Sequence, residues 1–202
     1  MSKTNNIISK HFAQVVLIVF SVVLGLYLSE RIEDQKNKRE SANLLDIIKS
    51  EVNDNRKLME EWSPYHQAMP RKLDSLSRNE DFVAAFAEDK TVLFGSLFTR
   101  STFMPRLPSS DAWDIGKSHP LIVNIDYDKL LILSKIYNQQ PVVFESMYKI
   151  FEVLEPIMTP SGEEAVSDLV AVQGRLQEYA AREAQLMEYY EEAIGALGLA
   201  EL

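Results

Sequence analysis

The sequence predicts an all-α protein, a helical bundle carried on an N-terminal transmembrane helix, and three observations carry that prediction. Phe12 to Leu28 is an apolar run with no formal charge, Ala165 to Leu197 keeps a heptad rhythm, and only 7 glycines and 8 prolines punctuate 202 residues. Long helices account for so few turn formers. Apolar residues make up 46% and charged residues 25%, the balance of a chain that folds around a core.

The apolar run reads FAQVVLIVFSVVLGLYL, and twelve of its seventeen residues are Phe, Val, Leu or Ile. On an insertion scale those side chains contribute about −4 to −7 kcal/mol in gross terms. As a helix the run spans about 25 Å, close to a ~30 Å hydrocarbon core, with Lys10, His11 and Tyr27 placed for the interfaces. A cleaved signal peptide needs small residues at alternate positions before the cut, and none stand around Gly25-Leu26-Tyr27-Leu28-Ser29. A buried core helix is the other reading; its apolar residues would not run round every face and then turn abruptly charged. Residues 1–11 are therefore expected as a short tail and 12–28 as the anchor. Lys3 and Lys10 on one side against Arg31, Lys36, Lys38 and Arg39 on the other leave the orientation open. Ser21, Gly25 and Ser29 line one face at a spacing of four, an arrangement that lets two anchors approach closely as a homodimer.

From Glu30 no glycine or proline occurs until Pro64, so a helix is expected to continue straight out of the bilayer. Residues 29–43 hold little apolar periodicity and read as a charged stalk; the bundle is expected over 44–202. Leu45, Ile48, Val52, Met59 and Trp62 form an apolar stripe interrupted by Asn55. Ser63-Pro64 predicts a cap and a kink or restart, after which Met69, Leu73 and Leu76 resume the face as far as Ser77. Asn79 to Glu88 and Thr91 to Phe103 read as short helices, the second also compatible with a strand, and Pro105 to Asp111 as a loop.

Asp126 is placed to cap a helix carrying Leu130, Leu131, Leu133, Ile136 and Tyr137, with Ile125 and Leu130 at staple spacing. Pro141 is expected to open a further helix burying Phe144, Met147, Ile150, Phe151 and Leu154, ended by Pro156 and Pro160. Ser161-Gly162-Glu163-Glu164 is a capping box. It opens the longest regular pattern: Ala165, Leu169, Val172, Leu176, Tyr179, Glu183, Leu186, Tyr190, Ala193 and Leu197, with Glu183 the one break. Such a seam needs a long partner helix. The stripe of the first helix, packed antiparallel, is one partner; the same helix of a second subunit is the other.

Chemistry leaves few marks. There is no cysteine, and His11, His66 and His119 have no second histidine or carboxylate at helical ligand spacing. No Glu-x-x-His repeat, H-E-x-x-H, G-x-S-x-G or phosphate-binding glycine loop occurs. No catalytic, metal or cofactor residue is expected, and the chain is not read as an enzyme. Glu60-Glu61, Glu163-Glu164 and Glu191-Glu192 are neighbours that diverge by about 100° on a helix, as on solvated faces. The net charge is −9, and from Glu163 to Leu202 nine acidic residues face only Arg175 and Arg182. That disfavours a nucleic-acid partner.

Ala112 to Gln140 reads AWDIGKSHPLIVNIDYDKLLILSKIYNQQ. It resembles a motif of a widespread bacterial family of uncharacterised single-pass membrane proteins, a domain of unknown function. In that family Ala-Trp is followed by a Ser-Gly turn, an Asp-Tyr helix start and a Leu-Ser-x-x-Tyr ending. Ala112-Trp113, Asp126-Tyr127 and Leu133-Ser134-Lys135-Ile136-Tyr137 match; Ser118-His119-Pro120 departs at the turn. The resemblance implies a bacterial inner membrane and no activity, with Trp113, Asp126, Tyr127 and Tyr137 in structural roles: a tryptophan anchor, a helix cap and a tyrosine packed at a helix end.

These readings together favour an interaction or scaffold module whose partners are the lipid bilayer and a second copy or another envelope protein. A membrane-tethered ligand sensor is the alternative. An enzyme assembled from Asp111, Asp114, His119 and Tyr127 is the third.

Overall fold

A computed structural model describes residues 2–157 and 165–199 of the chain. It is all α, with no strand among the described residues. Helix α1 runs from Ser2 to Ser77, α2 from Glu80 to Glu88, α3 from Val92 to Leu97 and α4 from Asp111 to Gly116. A 3-10 turn over Pro120–Asn124 leads to α5, Tyr127–Ile157, and α6 covers Ala165–Leu197. The capping box at Ser161–Glu164, and Pro160, lie outside the described residues.

Helix α1 joins a fully exposed apolar segment to a core element. The expected tail is helical from Ser2 onward. Residues 14–36 are exposed throughout, and burial begins at Ser41, whose hydroxyl donates to the Asn37 and Leu121 carbonyls. Leu45, Ile48, Val52, Met59, Trp62, Met69 and Leu73 then face the core as their spacing predicts. The kink expected at Ser63-Pro64 does not break the helix, and Pro70 is also accommodated within it. A proline inside an isolated helix costs about 3 kcal/mol, chiefly through one lost hydrogen bond and one clash. Met59 and Trp62 before Pro64, and Met69 and Leu73 beyond it, are all buried, so tertiary packing holds α1 on both sides.

The same correction applies to α5. Pro141 was expected to open a new helix, yet α5 passes through it, with Ile136 and Tyr137 buried before and Val143, Met147 and Ile150 after. The buried face also differs in detail. Ile132 is buried where Leu131 was expected, and Phe151 is 41% exposed.

Helices α1 and α5 pack against α6. Gln67 reaches the Ala180 carbonyl and Gln173 the Pro70 carbonyl, so α1 and α6 are antiparallel. Lys135 pairs with Glu192 and Gln139 with the Arg182 carbonyl, so α5 also runs against α6. The seam of α6 is thus filled within one chain, every heptad position from Leu169 to Leu197 being buried. Its far end returns towards the exposed apolar segment of α1.

The connecting segment crosses the bundle's side. Asn79 caps α2 by accepting from the Phe82 N–H. The strand alternative for Thr91 to Phe103 fails: a short helix ends at Leu97, and the chain is irregular as far as Ser110. Gly116 ends α4 against α1, where a β-carbon would stand 2.8 Å from Ile48 Cδ1. Glycine permits that approach.

Candidate functional site

Two polar nodes tie the irregular segment to the bundle, and each is centred on a glutamate. Glu51, inside α1, receives four donors. Its Oε2 accepts from the Ser109 hydroxyl and the Ala112 N–H, both at 2.8 Å. Its Oε1 accepts from the Trp113 N–H at 3.3 Å and the Tyr137 hydroxyl at 2.6 Å. A carboxylate borrowed from another helix therefore satisfies the open N–H groups that begin α4. Ser110, at the cap position of α4, makes no side-chain cap bond and instead donates to Asp114. One turn along α1, Asn55 holds Ser109 from both ends, donating to its carbonyl at 2.7 Å and accepting from its N–H at 2.9 Å.

Burial first, and then the Glu51 carboxylate, push the Tyr137 hydroxyl far above its usual range, so it stays a donor. Its ring lies parallel to Trp113, with centroids 5.3 Å apart. These two walls face an open cleft of about 860 Å³ that extends along α5 past Phe144, Tyr148 and Lys149.

The second node is deeper. His66 and Glu183 are both fully buried, with Nδ1 and Oε1 2.6 Å apart. His66 Nε2 lies 2.8 Å from the Phe103 carbonyl, and the Phe103 ring stacks on the imidazole at 4.6 Å. A carbonyl only accepts, so Nε2 carries a hydrogen. The short contact at Nδ1 then needs a second hydrogen, shared between imidazole and carboxyl. Tyr179 sits 3.2 Å from both partners and donates to Glu183; burial and that carboxylate raise its hydroxyl well above the usual value.

The residues singled out from sequence fare unevenly. Trp113 is half-buried and Tyr137 buried, as anchors of the cleft. Tyr137 is mid-helix rather than at a helix end, because α5 continues through Pro141. Asp126 accepts from the Asp128 N–H at 3.0 Å, as an N-cap does. Tyr127 is 74% exposed. His119 caps the 3-10 turn, its Nδ1 accepting from the Leu121 N–H, with Pro120 at the first position.

Asp111, Asp114, His119 and Tyr127 are exposed, and no hydrogen bond joins any two of them. The Lys117 ammonium, then Ser110, hold Asp114 below the usual carboxylate range. Ser21, Gly25 and Ser29 are exposed, and nothing stands within 4 Å of a β-carbon built on Gly25.

Sequence reasoning missed Glu51, His66 and Glu183 as a set. Asn55 and Glu183 were nonetheless visible as polar breaks in apolar stripes, and a buried polar group requires a partner. No family model, curated protein or solved structure matches the chain. One helix among the described residues, α1, is long and apolar enough to cross a membrane.

Proposed function

We propose that the chain is a single-pass bacterial inner-membrane protein whose helical bundle is a non-catalytic interaction or scaffold module. The observation that carries this reading is the division of labour along α1. From Val15 to Leu28 each large apolar side chain is at least 43% exposed, whereas the same helix is buried in the core from Leu45 onward. Apolar surface on every face of a helix, covered by nothing in the chain, is the surface lipid acyl chains solvate. The likeness to the bacterial family with Ala-Trp, Asp-Tyr and Leu-Ser-x-x-Tyr supports the same placement. Its partners are then the bilayer, and either a second copy meeting along Ser21, Gly25 and Ser29 or another envelope protein. The net charge of −9 argues against nucleic acid.

Carbonate washing of membranes tests the anchor, and retention in the pellet is expected. Crosslinking and pull-down of the full chain from membranes tests the module: specific co-purification of itself or another protein is expected, and its absence removes the interaction reading. Because the chain contains no cysteine, single cysteines introduced at exposed α6 positions report which side of the membrane holds the bundle.

A ligand-sensing role is the second reading, favoured by the cleft beside Trp113 and Tyr137. Glu51 links that wall directly to α1, so a shift of α4 on ligand binding would act on the helix that enters the membrane. Trp113 fluorescence on titration with small anions and cations tests it; no saturable change in any would end it.

A further inference from the structure

We propose that the groove between α1 and α6 docks a short amphipathic helix of a partner protein, one bearing lysine or arginine beside an apolar face. This rests on the interaction reading above and names the partner's chemistry. The groove is open, with a volume of about 600 Å³, and its lining sets Pro64, Ala184 and Met187 beside Glu60, Glu188 and Glu191. Methionine is an adaptable docking side chain, and a helix lying in an apolar groove is a recurring mode of recognition.

The formal charge lining the groove is wholly negative, and Ser63 and Gln67 are its uncharged polar side chains. Glu188 and Glu191 meet no cation among the described residues, and only Glu60 is paired, to Arg56 at 2.8 Å. Pro64 has no N–H, so the Glu60 carbonyl lacks its helical donor. The Gln67 amide already donates to the Ala180 carbonyl at 2.7 Å and to Glu183 Oε2 at 3.5 Å. An occupant that brings positive charge beside an apolar face complements this lining.

Other occupants fit less well. Along α1 the rise from Leu28 to Glu60 is roughly 48 Å, far beyond the headgroup layer, so lipid does not reach it. A second copy would set the same carboxylates against each other. The groove runs from Glu60 to Gln67 along α1, about 10 Å, or two turns of a partner helix. Contact of that size predicts a weak, salt-sensitive complex.

The test uses the full chain in nanodiscs of zwitterionic lipid, with a fluorophore on A181C beside the groove. The probe is a synthetic amphipathic helix of leucine and lysine, and its counterpart has glutamate for lysine. Saturable binding of the lysine peptide alone is expected, weakened at least tenfold in E188K/E191K and unchanged in E145K/E152K on α5. Equal weakening in both variants, equal binding of the glutamate peptide, or no saturable binding overturns the proposal. The two levels separate in the pull-down. If E188K/E191K retains every partner of the wild type, the groove is excluded while the module reading stands. If the wild type retains none although the peptide binds, the groove's chemistry stands and the module reading falls.

Discussion

Glu51 and Glu183 are both carboxylates set into the bundle, yet their surroundings ask different things of them. Glu51 faces only donors: two backbone N–H groups and two hydroxyls, none of them charged. Its charge is spread over ordinary hydrogen bonds, and the node works as a pin that holds α4 and α5 to α1. Glu183 takes donations from Tyr179 and Gln67, but its contact with an imidazole whose other nitrogen already meets a carbonyl needs a shared hydrogen. One node depends on geometry, the other on geometry and proton inventory. Glu51 is half-buried and Glu183 fully buried, so the two nodes are expected to differ in fragility.

Breaking the deeper node should cost most. His66→Ala leaves the Glu183 carboxyl buried without its imidazole, and a loss of roughly 3–5 kcal/mol is expected from urea unfolding. Glu183→Gln keeps a side-chain donor for Nδ1 and should lose clearly less. Equal losses in the two variants would show that the shared hydrogen is unimportant. Next comes Glu51→Ala, which strands the Tyr137 hydroxyl, the Ser109 hydroxyl and the first N–H groups of α4. About 2–3 kcal/mol is expected, with loosening of the Trp113 environment in near-ultraviolet circular dichroism; an unchanged Trp113 signal would contradict the pin.

Alkaline pH offers a third contrast. Burial raises the hydroxyls of Tyr137, Tyr179 and Tyr190 above the ordinary value of 10.0. Above that value the unfolded chain gives up these protons while the folded chain keeps them. Their contribution to stability is therefore full below pH 10.0 and is lost as pH rises past it. The expected slope is about 1.4 kcal/mol per pH unit for each tyrosine. Thermal melts across that range should show the decline, and Tyr190→Phe should flatten it; a flat wild-type profile would refute the assignment. The smallest effect is expected at Tyr127, where Tyr127→Ala should stay within about 0.5 kcal/mol of the parent.

Much of the bundle was legible because it obeys a period. The stripe Leu45, Ile48, Val52, Met59 and Trp62 and the α6 seam are buried where their spacing put them. Pro64 and Pro141 misled because propensity is local: each breaks an isolated helix, whereas here each has buried residues on both sides. Tyr127 misled for a related reason, since a residue beside a cap can simply point to solvent.

The sequence by itself determined the helical class, the apolar segment of α1, the seam on α6 and the cap at Asp126, because each is a short-range pattern of side chains on one helix. Only the tertiary structure decided which partner filled that seam and what answered Asn55, Glu51 and Glu183. His66 and Glu183 stand 117 positions apart and Glu51 and Tyr137 stand 86 apart. A polar break in a stripe announces that a partner must exist, but only chain packing brings the two ends within hydrogen-bond reach.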